Sequence, residues 1–497
     1  MVILESFLNL FNPYTLLAMT LGTAWGIFLG AMPGFGATIG MALLIPFTFG
    51  MNPNVALPML AGVYQGAMYG GGITAILIGI PGTSAAAATV LDGFEMTKKG
   101  EANKALTACA MASSFGSIFG GIVLLLFAPM LVKITLLFGP AEYFVLAIFG
   151  LSIIAAFTGG SILKGLIAGA FGVLLSTVGI DPIGGDSRFT FDQPYLFDGF
   201  PLIPLILSLF AFPRCLSMIR ESFRQKGVKI GSQNVGGGGP RLAWREFAGL
   251  WKTILRSGFW GAIIGIIPAA GGNIACWMSY AEAKRNSRYP EKFGTGITEG
   301  VVAAEMANST TEGGALVPML TLSIPGSPPA AIMLGALMIH GMVPGPDLFT
   351  KHALVTYTYM LSIIFSSFIL LAMGYYGSRF FARVADVSPV VLAPIILLVT
   401  MMGAFATRQY VFDIGVTVGL GTVCYLLSLA KYPMPSILLG AILGPIAERG
   451  FRRAMLMSQD DWTIFFTRPI CIILLIMIVI SIHAGLRMSR LEKKLKA

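Results

Sequence analysis

The sequence predicts an all-α polytopic integral membrane protein, with about 12 transmembrane helices or half-helices in two homologous, inverted repeats that are broken at their centres. Three observations predict it. Of 497 residues, 56% are hydrophobic and only 11% charged, against about 25% charged in a soluble protein. Uncharged stretches long enough to cross a bilayer follow one another along the chain. A block interrupted by Pro and Gly occurs twice.

The apolar segments come first. No residue between Glu5 and Asp92 is charged, and about 20 apolar residues cross a bilayer. Pro33, Pro46, Pro53, Pro58 and Pro81 divide this stretch into about three crossings. Further uncharged runs cover residues 105–132, 143–163, 165–180, 259–281, 313–346, 353–378, 387–407, 414–430 and 469–486. The N-terminus MVILESFLNLFNPY has no positive flank or cleavage site of a secretory signal, and Glu5, Asn9 and Asn12 share one helical face. It reads as a retained interfacial helix.

Charge sets the orientation. The 33 Lys and Arg against 23 Asp and Glu give a net +10, gathered in short polar gaps between apolar runs. That is a topology signal and not a nucleic-acid face. The gap from Arg214 to Arg256 holds nine Lys/Arg against Glu221 and Glu246, with GGGG at Gly236–Gly239, and is expected inside by the positive-inside rule. It divides the chain into a first transmembrane repeat (1–213), a basic cytoplasmic linker (214–256) and a second repeat (257–497). The gap around Lys98, Lys99 and Lys104 is also expected inside, so the gap from Asp181 to Asp198 falls outside. The five cysteines lie far apart without a C-x-x-C pair, so neither a disulfide framework nor a zinc site is implied.

The duplication is visible by eye. WGIFLGAMPGFGATI from Trp25 lies over WGAIIGIIPAAGGNI from Trp260 at an offset of 235, and IPGTSAAA from Ile80 over IPGSPPAA from Ile324 at 244. A weaker match sets DPIGGDSRF from Asp181 beside GPIAERGFRR from Gly444, whose Arg449, Arg452 and Arg453 place that second gap inside. Inverted repeats switch one site between two membrane faces. Strict inversion would leave the basic tail RMSRLEKKLKA outside, whereas the positive-inside rule wants it inside. The two expectations conflict.

Glycines four apart, such as Gly22, Gly26 and Gly30, suit close helix packing. Packing does not account for the prolines. In PGFGATIG, Pro33 removes a backbone donor, Gly34 and Gly36 permit left-handed backbone and Thr38 adds a hydroxyl; the mate PAAGGN offers Gly271, Gly272 and Asn273. Peptide groups freed there cannot face lipid, so they line a polar cavity able to hold an ion or a carboxylate. In the second pair, Gly82, Thr83 and Ser84 answer Gly326 and Ser327, as helix starts that attract anions or as ordinary N-caps. These eleven residues are the expected substrate site.

TEGVVAAEMANSTTEGG puts Glu305, Asn308 and Glu312 on one helical face beside Ser309, Thr310 and Thr311. Asn308, Ser309 and Thr311 suit sodium, and Glu305 is the intramembrane acid on which proton coupling would rest. Glu299 and Glu312 suit an interface. The matching stretch of the first half offers Tyr64, Gln65 and Tyr69 and no acid. No Walker, G-x-S-x-G or H-E-x-x-H signature is present, and His340, His352 and His483 are scattered. An intramembrane lipid-modifying enzyme using Glu305 and Glu312, or Asp460 and Asp461, is the rival reading; the missing His and Cys ligands oppose it.

PGFGATIG, YGGGITAILIGIPGTSAAAATVLDGF, GGALVPMLTLSIPGSPPAAIMLGAL, GIDPIGGDSRFTF and LGPIAERGFRRA resemble the TctA family, the large membrane subunit of tripartite tricarboxylate transporters. The resemblance implies a bacterial inner-membrane carrier without a cofactor, driven by a sodium or proton gradient. It also implies a small TctB-like membrane subunit, a periplasmic TctC-like solute-binding protein and an organic carboxylate substrate.

Overall fold

A computed structural model describes residues 2–157, 161–181, 184–224, 239–268, 270–382 and 389–496. Among the described residues the regular structure is helical apart from one short β-hairpin. The first half opens with α1 (Val2–Leu10), bent 65° from α2 (Pro13–Gly30), then α3 (Gly36–Thr48), α4 (Pro53–Ile78), α5 (Thr89–Lys98) and α6 (Ala102–Thr135). Asn12 and Asn52 start α2 and α4 by accepting the backbone N–H two residues on, with Pro in the first helical position, where its missing donor would be free anyway. Next come α7 (Pro140–Phe157), α8 (Ile162–Ser176), the hairpin β1 (Gly179–Ile180) and β2 (Ser187–Arg188), α9 (Leu202–Ile206) and α10 (Phe212–Arg224).

After the linker helix α11 (Trp244–Gly249) come α12 (Trp251–Ile266), α13 (Gly271–Asn286), α14 (Thr298–Leu322), α15 (Pro328–Ile339), the short α16 (Pro346–Thr350) and the long α17 (Ala353–Ala382). The chain closes with α18 (Pro389–Arg408), α19 (Val411–Leu429), α20 (Met434–Met457), α21 (Ile464–Thr467) and α22 (Pro469–Lys496).

Among the described residues, five helical segments are long and apolar enough to cross a membrane, or six if α1 and α2 make one bent span, against the dozen crossings or half-crossings expected. The difference has a physical cause. α4 and α14 have the length, but they are the most enclosed helices and carry Gly, Tyr, Gln, Asn and Glu where a lipid-facing span carries Leu and Ile. Several other apolar helices, including α3 and α15, are too short to cross alone.

Contacts give the directions. α2 runs parallel to α4, because Gly22, Gly26 and Gly30 press on Met59, Val63 and Ala67 in that order. α12 runs parallel to α14, with Gly261 on Ala307 and Gly265 on Thr311. α4 and α14 are antiparallel: Gly72 lies against Glu305, and Tyr64 bonds to Ser327 beyond the far end of α14. Leu at position 26 would bring its Cβ within 2.9 Å of the Val63 Cα. Gly26→Leu should therefore destabilise the protein by about 1–3 kcal/mol, the usual range for overpacking. Thermal unfolding in detergent checks this, and a parent-like melt would contradict the close packing.

The bundle has two ends. At the linker face, Lys104 pairs with Glu246 at 3.0 Å, Asn103 donates to the Gly239 carbonyl and Lys99 to that of Thr295. At the hairpin face, Arg188 pairs with Glu448 at 2.7 Å, and Arg452 with Asp181 at 2.8 Å and Glu448 at 3.0 Å. This corrects one expectation. The segments at Asp181 and Gly444 do not occupy opposite faces; they touch, and Gly444 lies inside the unbroken helix α20. The arginine count misled because two acids answer Arg452 locally.

The conflict over the tail also resolves. Arg468 pairs with Glu142 at 2.9 Å at the hairpin-face start of α7, and Cys471 and Leu474 share a core with Val145 and Phe149. From there the 28 residues of α22 rise about 42 Å toward the linker face.

Candidate functional site

Each half builds a re-entrant turn. α2 ends at Gly30, the chain reverses through Gly34 (φ +82°), and α3 starts at Gly36 (φ +63°). In the second half α12 ends at Ile266 and α13 starts at Gly271 (φ +53°), which is Gly36 displaced by 235. Left-handed backbone is the reason for glycine at both starts. The Trp25 indole donates to the Gly40 carbonyl at 3.2 Å and clasps α2 to α3.

The second breaks also correspond. α4 ends on left-handed Gly79 (φ +69°) and α14 on left-handed Ser323 (φ +60°), 244 residues later. The chain then doubles back, and Gly82 N–H donates to the Gly71 carbonyl at 3.1 Å as Gly326 N–H donates to that of Ala315 at 3.2 Å. Gly82 rests on the Gly30 carbonyl and Gly326 on that of Gly265, a further pair displaced by 244 and 235.

These four breaks surround a cavity of about 270 Å³. Its wall includes Gly34, Gly36, Thr38, Gly82, Thr83, Ser84, Gly271, Gly272, Asn273 and Ser327, all named from the sequence. Gly326 is outside the wall, packed against Ala315. Ser84 Oγ donates to Asn273 Oδ1 at 2.8 Å, joining the first half to the second. Tyr64 OH and Ser327 Oγ share a hydrogen bond at 2.8 Å across the other side, and Ser327 caps α15 through Ala330 N–H. Thr83 Oγ1 is buried without a hydrogen-bond partner among the described residues.

Three helices begin on this wall, at Gly36, Gly271 and Pro328. The starts of α3 and α13 present unpaired N–H groups and the positive end of the helix dipole, whereas α15 adds only its dipole, because Pro328 and Pro329 have no N–H and Ser327 Oγ holds that of Ala330. Their convergence favours an anion.

The expected ion residues separate. Thr311 lines the cavity and donates to the Asn308 carbonyl at 2.6 Å. Asn308 Oδ1 lies behind Gly272 and has no hydrogen-bond partner among the described residues. Ser309 faces Gly116 of α6, with its hydroxyl unpartnered. Glu305 stands away from the wall, accepting from Thr89 at 2.5 Å and Ser113 at 3.2 Å. Glu312 corrects the interface reading: it is 0% exposed and accepts from Ser117 at 2.9 Å. Glu299 does lie at the linker face, accepting from Thr253 and Ser287.

Asp460 and Asp461 form an exposed turn after α20. The Thr463 hydroxyl and backbone N–H hold the Asp461 carboxyl below its usual range. Among the described residues no group of three or more His, Cys, Asp and Glu could hold a metal, and all five cysteines are buried and free.

Sequence reasoning missed Arg214, assigned to the linker. Its guanidinium donates to the Pro33 carbonyl at 3.1 Å and stacks over Phe35, pinning the tip of the first turn. The available signal was its place directly after the apolar run PLIPLILSLFAFP, inside the span and not in a polar gap. Phe35, Met68, Ala85 and Pro329 were also missed, as apolar wall residues without a chemical signature.

Residues 16–439 match the tripartite tricarboxylate transporter TctA family. A protein of Agrobacterium vitis described as "Uncharacterized 52.8 kDa protein in TAR-I ttuC' 3'region" is 33% identical over 484 residues, 96% of this chain and 95% of its own length. A second from the same organism, "Uncharacterized protein in TAR-II ttuC' 3'region", is 29% identical over 234 residues, 46% of this chain and 97% of its own. No solved structure matches. The chain therefore belongs to the tripartite tricarboxylate transporter TctA family, a family of transporter subunits and not of enzymes.

Proposed function

We propose that the protein is the carrier of a tripartite system that imports organic carboxylates by alternating access across a bacterial inner membrane. One observation carries the reading: two re-entrant turns, one from each half, meet at a small cavity where hydroxyl, amide and helix-start groups stand among apolar ones. The antiparallel α4 and α14, and the contacts repeated at 235 and 244 residues, support an inverted repeat. In such a pair, exchange of the two halves' conformations exposes one site to either side.

The basic linker face is the cytoplasmic side by the positive-inside rule, and the hairpin face is periplasmic. There the binding protein delivers substrate, while a small membrane subunit completes the complex. The cavity, about 270 Å³, falls below the roughly 300–1,000 Å³ of drug-sized pockets, which suits a small organic acid and not a lipid. Thr38, Ser84, Asn273 and backbone N–H groups bind the carboxylates. Sodium sits toward Asn308 Oδ1 and Thr311, with Ser309 and Glu305 behind them; the rival coupling ion is a proton on Glu305.

The test is counterflow in proteoliposomes with the binding protein and small subunit present. A carrier exchanges labelled for unlabelled carboxylate, whereas absence of exchange alongside passive leakage would leave a channel. Imposed sodium and proton gradients then identify the ion: sodium should drive accumulation at equal pH, and accumulation driven by protons alone would remove the sodium site. Asn273→Ala should raise the half-saturating substrate concentration by about 10-fold or more, since a hydrogen bond to a charged group contributes about 1.5–3 kcal/mol. An unchanged value would remove Asn273 from the site.

A further inference from the structure

A second cavity, of about 560 Å³, opens at the hairpin face between the start of α7, the break after α14 and the C-terminal part of α20. Ile446, Arg449, Gly450 and Arg453 line it from successive turns of one α20 face. The three arginines of this segment have different surroundings. Arg452 is neutralised by Asp181 and Glu448. Arg449 uses its Nε on the Pro445 carbonyl, and Arg453 has neither hydrogen bond nor ion pair among the described residues. The lining's one acid, Asp347, is paired with Lys351 at 2.9 Å. The cavity mouth therefore carries two exposed arginines, neither with an acidic partner among the described residues.

Two features of these arginines point the same way. Like charges four apart on a helix repel, at a cost of a few tenths of a kcal/mol, unless both bind one anion. Arginines at the face opposite the basic linker also run against the positive-inside trend, so topology does not explain them. The remaining wall, with Phe138, Leu146, Leu322 and Leu443, is apolar.

The geometry points to an anion-binding site, in which the guanidinium groups of Arg449 and Arg453 hold one carboxylate or phosphate group whose carbon body lies on the apolar wall. Leu322 and Ser323 line this cavity, and Ser327 to Pro329, just beyond them, line the central one. The ligand is either a soluble carboxylate waiting outside the central cavity, a role that rests on the carrier reading, or the headgroup of an anionic lipid; anion binding itself does not depend on that reading.

The test uses the purified full-length protein in nanodiscs. One arm titrates citrate in zwitterionic phosphatidylcholine at low salt, and the other varies the fraction of phosphatidylglycerol and measures bound lipid by native mass spectrometry. The double variant Arg449→Gln/Arg453→Gln should weaken binding at least 10-fold in one arm, which identifies the source, while Arg220→Gln at the linker face leaves both arms unchanged. Asn273→Ala should remove only a separate citrate site. If Asn273→Ala has no effect while the double variant does, the central reading fails and this one stands. Should the double variant not fold, Val343→Trp fills the cavity without touching the charges and should give the same loss. Citrate and phosphatidylglycerol binding within twofold of the parent in both cavity variants would overturn the site.

Discussion

Gly82→Val and Gly326→Val are each expected to reduce carboxylate uptake by more than 100-fold while the protein still reaches the membrane. At position 82 a Cβ would fall on the Gly30 carbonyl and lie 2.8 Å from the Gly71 Cα and Thr74 Oγ1. At 326 it would lie 2.6 Å from the Ala315 Cα and 2.9 Å from the Gly265 carbonyl. Backbone blocks both positions, and the side-chain atoms beside it, Thr74 Oγ1 and Ala315 Cβ, belong to short side chains with little room to yield, so the Pro-Gly turn itself must move. That turn carries the next residue, Thr83 or Ser327, into the cavity wall, and binding sites need their groups within about 0.5 Å. Stability should fall by about 1–3 kcal/mol as well. Gly50, with open space around it, is the control: Gly50→Val should transport normally. Uptake and thermal unfolding are read together, and near-parent uptake in either variant would show that its break does not shape the site.

The reach of the sequence is seen in which of these residues it could name. A proline beside glycines in an uncharged stretch must interrupt a helix wherever it packs, so Pro33–Gly36 and the turn before Gly271 were legible without a partner. The pairing of Ser84 with Asn273 across the two halves followed only in outline, because which side chains meet depends on helix directions that offsets do not encode. Glu312 and Arg452 show the limit. Glu312 stands near the end of a polar stretch, which assigns it to an interface, and a count of positive charge places Arg452 on the inner side. In the structure, parallel packing of α6 on α14 buries Glu312 on Ser117, while Asp181 and Glu448 hold Arg452 at the face that a count of positive charge would not choose. Charge counting treats each residue as independent, and here local pairing overrides it.

Asp92→Ala should produce the largest loss of stability, about 3–5 kcal/mol, because four donors lose one buried carboxylate and hydrogen bonds to a charged group contribute about 1.5–3 kcal/mol each before relaxation. Asp92 is 0% exposed in the first turn of α5. Its Oδ1 accepts the backbone N–H groups of Gly294 at 2.9 Å, Gly296 at 2.8 Å and Ile297 at 3.0 Å, and its Oδ2 accepts the Tyr280 hydroxyl at 2.7 Å. Alanine would leave those donors without an acceptor, and an unsatisfied buried group costs about 1–3 kcal/mol; only relaxation of the Gly294–Gly296 turn toward water limits the sum. Asp92→Asn keeps the shape and one acceptor oxygen, so it should lose roughly half as much, since hydrogen bonds to a charged group are about twice as strong as neutral ones. The contact has a mechanical meaning. α5 follows the first half's second break, whereas the turn it grips lies between α13 and α14, so this carboxylate fastens the two halves together at the linker face. Protease cleavage in the 287–297 turn should accordingly rise in both variants, with alanine above asparagine. Melting curves and cleavage rates indistinguishable from the parent would mean that the halves are held at that face by something other than Asp92.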